Sequence, residues 1–163
     1  MLVEESWRFY REVYPQLMSL VRKLSQEDWY QAGQYASFVG HYHEGAYVQL
    51  YKPNWHNQSL DGLHFEVGIS PQALAKKTVQ IDLHVGHKNV FDRQAFNKRT
   101  VTKLEQAVST WDGLEYRFSR TNLSERLNLK WPVTKSKFVV QLTAGFKKMD
   151  ELSAILDEGF EDL

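Results

Sequence analysis

Apolar and polar positions alternate most regularly between Leu63 and Val85. In LHFEVGI, residues Leu63, Phe65, Val67 and Ile69 share one parity, and in VQIDLHV so do Val79, Ile81, Leu83 and Val85. Successive strand side chains point to opposite faces, so this period of two predicts two half-buried strands. Asp61-Gly62 just before them is a turn signal. The link PQALAKKT is shorter than a parallel crossover needs, so the two strands are expected to be antiparallel neighbours. Ser70 and Pro71 would open a single helical turn there, as cap and first helical residue. The opposite parity carries His64, Glu66 and Gly68 on the first strand and Gln80, Asp82, His84 and Gly86 on the second.

Upstream, Trp7, Tyr10, Val13, Tyr14, Leu17, Met18, Val21 and Leu24 recur at steps of three and four, which predicts an amphipathic helix over 3–24. Pro15 inside it predicts a kink or a division into two helices. Ser25, followed by Glu27 and Asp28, has the form of a cap for a short helix carrying Trp29 and Tyr30. Two strands, 35–43 and 46–52, are expected next, joined at Glu44-Gly45. In the loop KPNWHNQS, Trp55 is expected to fold back over the sheet edge, because tryptophan is usually well buried.

Downstream, Phe96, Val101, Leu104, Val108 and Trp111 predict a helix over roughly 92–110, closed by Asp112-Gly113. Strands are expected at 114–118 and 127–131. The closing segment, with Phe138, Val139, Leu142, Phe146, Met149, Leu152, Ile155, Leu156 and Phe160, follows the 3.6-residue period and predicts a long helix. Thr134 would cap it, and Gly145 within it would mark close packing. Apolar helix stripes need an apolar sheet face to cover. The expected fold is therefore α+β: a mostly antiparallel sheet of about five or six strands, with N-terminal, middle and long C-terminal helices packed mainly on one face. No repeat or linker divides residues 1–163, which read as one domain.

Composition narrows the function. Twenty basic and twenty acidic residues give a formal net charge of zero, so no global field draws the chain to nucleic acid or anionic membrane. The chain has no cysteine, which removes disulfides, thiolate metal sites and a cysteine nucleophile, and fits a cytoplasmic protein. The N-terminal run has no apolar core of a signal peptide, and no apolar run reaches the ~20 residues of a membrane span. In layout, HFEVGI, then IDLHV, then a helix and a strand pair within 63–129, resembles a small α+β module of bacterial genome-defence and nuclease-associated proteins. The resemblance covers under half of the chain and brings no catalytic residues with it.

Motif chemistry is sparse. There is no GxSxG elbow, Walker loop, GxGxxG or HExxH. Restriction-type nucleases place a lysine two residues after an acidic one, but here Glu66 is followed by Gly68 and Asp82 by His84. What remains is a set of polar and aromatic residues expected on the uncovered sheet face: Tyr47, Gln49, Tyr51, His64, Glu66, Asp82, His84 and Arg117. They predict a non-enzymatic binding or interaction domain without a cofactor or a membrane, its partner not identified by the sequence and another protein one candidate. One alternative is a metal-dependent hydrolase holding a divalent metal on His41, His43, His64 and His84, with nearby Glu44, Glu66 and Asp82. The other is a nucleic-acid-binding accessory domain using basic groups such as Lys76-Lys77, Lys98, Arg99, Lys103, Arg120, Arg126, Lys130, Lys135 and Lys137.

Overall fold

The structure, a computed structural model, describes residues 3–42, 45–87, 89–161 and 163. It is an α+β fold built on one six-stranded antiparallel sheet. The strands are β1 (Ala36–Tyr42), β2 (Gly45–Tyr51), β3 (His64–Ile69), β4 (Thr78–His84), β5 (Tyr116–Phe118) and β6 (Glu125–Pro132). Their spatial order is β1-β2-β3-β4-β6-β5, so β6 inserts between β4 and β5. The helices are α1 (Val3–Ser25), α2 (Asp28–Ala32), α3 (Pro71–Lys76), α4 (Arg93–Val108), α5 (Phe138–Asp150) and α6 (Ser153–Gly159).

The alternating pattern does what it predicts. Strands β3 and β4 pair antiparallel, with Phe65 opposite Leu83 and Val67 opposite Ile81. Across the sheet, Val48, Val67, Ile81 and Leu129 form one apolar row and Leu50, Phe65, Leu83 and Leu127 the next, all fully buried. Ser70 Oγ accepts from the Ala73 amide 3.1 Å away, which starts the single helical stretch α3. Helices α1 and α5 pack together over this face, and α5 touches β4 and β6. Contact there is close: a Cβ on Gly145 would lie 2.3 Å from Ile81 Cδ1, so the glycine lets α5 approach the sheet. Helix α4 begins on the carboxylate of Asp92, which accepts from the Ala95 amide, and packs against α6. No described helix is long and apolar enough to cross a membrane.

Several local expectations change. Helix α1 runs unbroken through Pro15, which lies on its exposed side, where water can bond the Arg11 carbonyl that proline leaves unpaired. Its buried stripe is Phe9, Val13, Leu17, Leu20 and Leu24, while Trp7, Tyr10, Tyr14 and Met18 are exposed. Steps of three and four had merged two adjoining stripes into one. Ser25 does not cap α2; its hydroxyl turns back to the Arg22 carbonyl at 2.8 Å, and Glu27 takes the cap position. Thr134 makes no side-chain cap; instead its amide donates to Gln141 Oε1, and Trp131 Nε1 donates to the Gln141 carbonyl, both at 2.7 Å. The long C-terminal helix turns at Glu151 and Leu152 and continues as α6. Trp55 is buried as expected, edge-on against Phe65, with its Nε1 donating to Asp157 Oδ1 at 2.7 Å.

Candidate functional site

Because one face of the sheet takes the apolar rows, the other parity forms a polar face on the far side. Register then decides which polar residues meet. Phe38 lies opposite Gln49, Gln49 opposite Glu66, Glu66 opposite Asp82, Asp82 opposite Asn128 and Asn128 opposite Arg117. This single row crosses all six strands. His64 and His84 pair in the neighbouring row, with rings stacked at 5.1 Å and only 18° between their planes. Tyr47 and Tyr51 sit on the same face of β2, next to β1. The register thus puts Tyr47, Gln49, Tyr51, His64, Glu66, Asp82, His84 and Arg117 on one face. Gln80, Arg117 and Lys130 on that face are open to solvent, whereas Gln49, His64 and Asn128 are buried among their neighbours.

One half of the site is latched by the loop between β2 and β3. Asn57 is buried there, with its Nδ2 donating to Gln49 Oε1 at 3.1 Å and its Oδ1 accepting from the Gly62 amide at 2.8 Å. Gln49 Nε2 then donates to Glu66 Oε2 at 3.0 Å. A Cβ at Gly62 would come within 2.1 Å of the His56 carbonyl, so only glycine lets the loop fold this tightly. His64 Nδ1 is 2.8 Å from the Gly62 carbonyl and 3.1 Å from Asn57 Oδ1. Both can only accept, so Nδ1 carries a hydrogen and Nε2 turns toward Glu66 Oε2, 3.5 Å away. His84 Nε2 lies 4.0 Å from the other Glu66 oxygen.

The other half turns on Asn128. Its Nδ2 donates to Asp82 Oδ1 at 2.6 Å and to Glu125 Oε1 at 2.7 Å. Its Oδ1 accepts from Arg117 Nε and NH2 at 3.1 and 2.8 Å. An irregularity in pairing at Leu83 and His84 brings Glu125 opposite His84, which adds a third carboxylate to the face.

The two central carboxylates are pushed apart. Burial works against the charge of Glu66, but the close contact to His64, the hydrogen bond from Gln49 and the nearby His84 outweigh it and hold the carboxyl below its usual range. Asp82 goes the other way: burial raises it, Glu125 and Glu66 add to the rise, and Asn128 and His84 only partly oppose it. The consequences for stability have opposite signs. Glu66 contributes stability above the ordinary glutamate range, and that is lost as pH falls through its lowered value. Asp82 takes stability away as pH rises from the ordinary aspartate range through its raised value.

The remaining expected ligands are not gathered here. His41 lies on the helix-covered face, where its ring stacks on Tyr14 at 5.5 Å and meets Tyr10 edge-on. His43 and Glu44, and with Glu44 the turn into β2, lie outside the described residues. Among the described residues no three histidine, aspartate or glutamate side chains are arranged to hold a metal ion. Many of the basic residues are paired: Lys103 with Glu158, Arg120 with Glu105, Lys130 with Glu115 at 2.8 Å and Lys135 with Glu12 at 2.5 Å. Arg126 is buried, bonded to Asn97 Oδ1 and the Ser119 carbonyl.

Comparison with protein-family models, curated proteins and solved structures finds no match. The geometry therefore carries the functional argument alone. Asn57, Glu125 and Asn128 are the members that sequence reasoning missed. Asn128 had a signal, since Leu127, Leu129 and Trp131 alternate around it. Asn57 had none, because nothing in KPNWHNQS marks which residue returns to the sheet.

Proposed function

We propose that this protein is a non-enzymatic interaction domain of the cytoplasm whose polar sheet face receives a lysine or arginine side chain of a protein partner. The observation that carries this reading is Asp82. Its carboxylate faces Glu66 across the strands, has Glu125 beside it, and is pushed up by burial and by both. Arg117, the guanidinium on this row, is directed to Asn128 rather than to a carboxylate. An incoming cation would relieve the repulsion. A centre of this sign repels phosphate, which argues against a nucleic-acid role.

Isothermal titration with a tri-arginine peptide, against tri-aspartate as control, tests the reading. Tri-arginine should bind and tri-aspartate should not. Asp82→Asn should weaken binding about tenfold or more, the loss expected for a charge-assisted bond of ~1.5–3 kcal/mol. The same substitution should leave the melting temperature unchanged or raise it by up to about 3 °C. It keeps an oxygen for Asn128 Nδ2 and removes a charge that folding penalises. A substitution that stabilises the fold while weakening binding is the mark of a site held for function. Equal affinity of wild type and Asp82→Asn for tri-arginine rejects the proposal. Stoichiometric metal in untagged protein would move it to the metal-dependent hydrolase.

His84→Ala should leave tri-arginine binding intact or strengthen it, because it removes a ring that eases the crowding of charge at Asp82 and Glu66. His64→Ala should cost stability, because His64 is buried and holds the loop through Gly62 and Asn57.

A further inference from the structure

Strand β1 is an edge of the sheet, paired with β2 on one side only among the described residues. Natural edge strands are usually protected by being short, by charged residues or by proline. The opposite edge, β5, follows this rule, with three residues and Arg117 at its centre. Strand β1 does not. It is seven residues long, ASFVGHY, and contains no lysine, arginine, aspartate, glutamate or proline.

The helix beside that edge carries a second feature of the same kind. Trp7, Tyr10, Tyr14 and Met18 form a stripe on α1 that is 66%, 38%, 38% and 42% exposed, set beside the stripe that faces the core. Tyr10 and Tyr14 pack on His41 of β1, so the stripe and the strand edge are continuous. We infer that β1 and the Trp7–Tyr10–Tyr14–Met18 stripe together form a twofold interface with a second copy of this chain.

The geometry suits that occupant. Two β1 strands related by a twofold axis run antiparallel, so their outer edges from Ala36 to His41 can pair and join two six-stranded sheets into one. Helix α1 touches β2 and reaches β1 through His41. Its Tyr10 and Tyr14 rings lie on His41, so the outer stripe borders the seam. The twofold then sets this stripe facing its copy across the two joined edge strands. With ~150–250 Å² for each large side chain, the exposed parts of the stripe come to roughly 400 Å² per copy. A standard interface needs ~800 Å² per partner, and the strand edge with Phe38 can supply the rest. Zero net charge adds no repulsion between copies. The pairing would also set two polar faces side by side, offering a partner two Glu66–Asp82 centres on one surface.

Sedimentation velocity on the full chain tests this. Wild type should sediment as a dimer, at twice the 19.1 kDa chain mass. Trp7→Glu combined with Met18→Glu should sediment as a monomer, and so should Phe38→Lys, which places a lysine on the edge strand. Both should keep the wild-type far-ultraviolet circular dichroism, because they alter the outer stripe and the edge. Trp7→Phe should remain dimeric. A wild type that is monomeric well above ~10 µM overturns the inference. A dimer that persists in either folded variant overturns it too, since another surface would then hold the copies together.

Discussion

Replacing Asp157 with alanine should lower the stability of the protein by about 2–4 kcal/mol, more than any other polar substitution considered. Asp157 is the anion for a polar cluster between α6 and the segment after β2. Its Oδ2 is 2.8 Å from Lys52 Nζ, and its Oδ1 accepts from Trp55 Nε1 at 2.7 Å and Asn54 Nδ2 at 3.2 Å. Lys52 is the exposed end of nothing: it is buried, with its ammonium 5.2 Å from the Tyr35 ring centre and 5.6 Å from that of Trp55. Without the carboxylate, a buried ammonium and a buried indole N–H lose their acceptor, and both pay full desolvation. The carboxylate itself is more than a third exposed, which keeps the figure below the 3–5 kcal/mol typical of a fully buried pair. At ~2–4 °C per kcal/mol for a chain of this size, the melting temperature should fall by about 4–16 °C. Lys52→Met should remove much of the penalty, because no cation is then left behind. A double-mutant cycle should show ~1 kcal/mol or more of coupling between the two sites. Additive losses would show that the ion pair holds nothing together.

This cluster had no signature in the sequence. Lys52 and Asp157 are 105 residues apart, and each stands in a segment whose pattern speaks only of its own element. The strands were legible for the opposite reason. Leu63 to Ile69 and Val79 to Val85 carry a strict local period that only a half-buried strand satisfies, and the short link between them leaves antiparallel pairing as the one simple connection. The same logic placed Glu66 and Asp82 on one face. It could not say that they face each other, because register depends on both strands at once. Nor could it place β6 between β4 and β5, which is a long-range choice. Helix α1 misled for a local reason. Aromatics at three- and four-residue steps satisfy the amphipathic rule whether their stripe faces the core or its border, and exposure of Trp7 and Met18 shows that here it is the border. A stripe with the pattern of core that is left outside is where a partner surface would be written.

Phe65→Ala should be the most damaging substitution in the sheet, at about 3–5 kcal/mol. Phe65 is fully buried in β3, between Leu50 of β2 and Leu83 of β4, and Trp55 meets its ring edge-on at 5.2 Å. Alanine removes the aromatic contact along with the buried area, and the neighbours cannot close the gap. Leu50 and Leu83 are fixed by the strand ladders, and Trp55 by its bond to Asp157. Phe65→Leu should cost less than half as much, because most of the volume is kept. Chemical denaturation with tryptophan fluorescence checks both, since Trp55 lies against the altered side chain. The substitution also separates scaffold from site. His64 and Glu66 flank Phe65 in sequence and point to the opposite face, so the fold loses stability without loss of a single polar group from the row. At temperatures where Phe65→Ala remains folded, its affinity for tri-arginine should stay near that of wild type. A large loss of affinity in the folded variant would mean that the polar row depends on core packing beneath it rather than on the register of the strands.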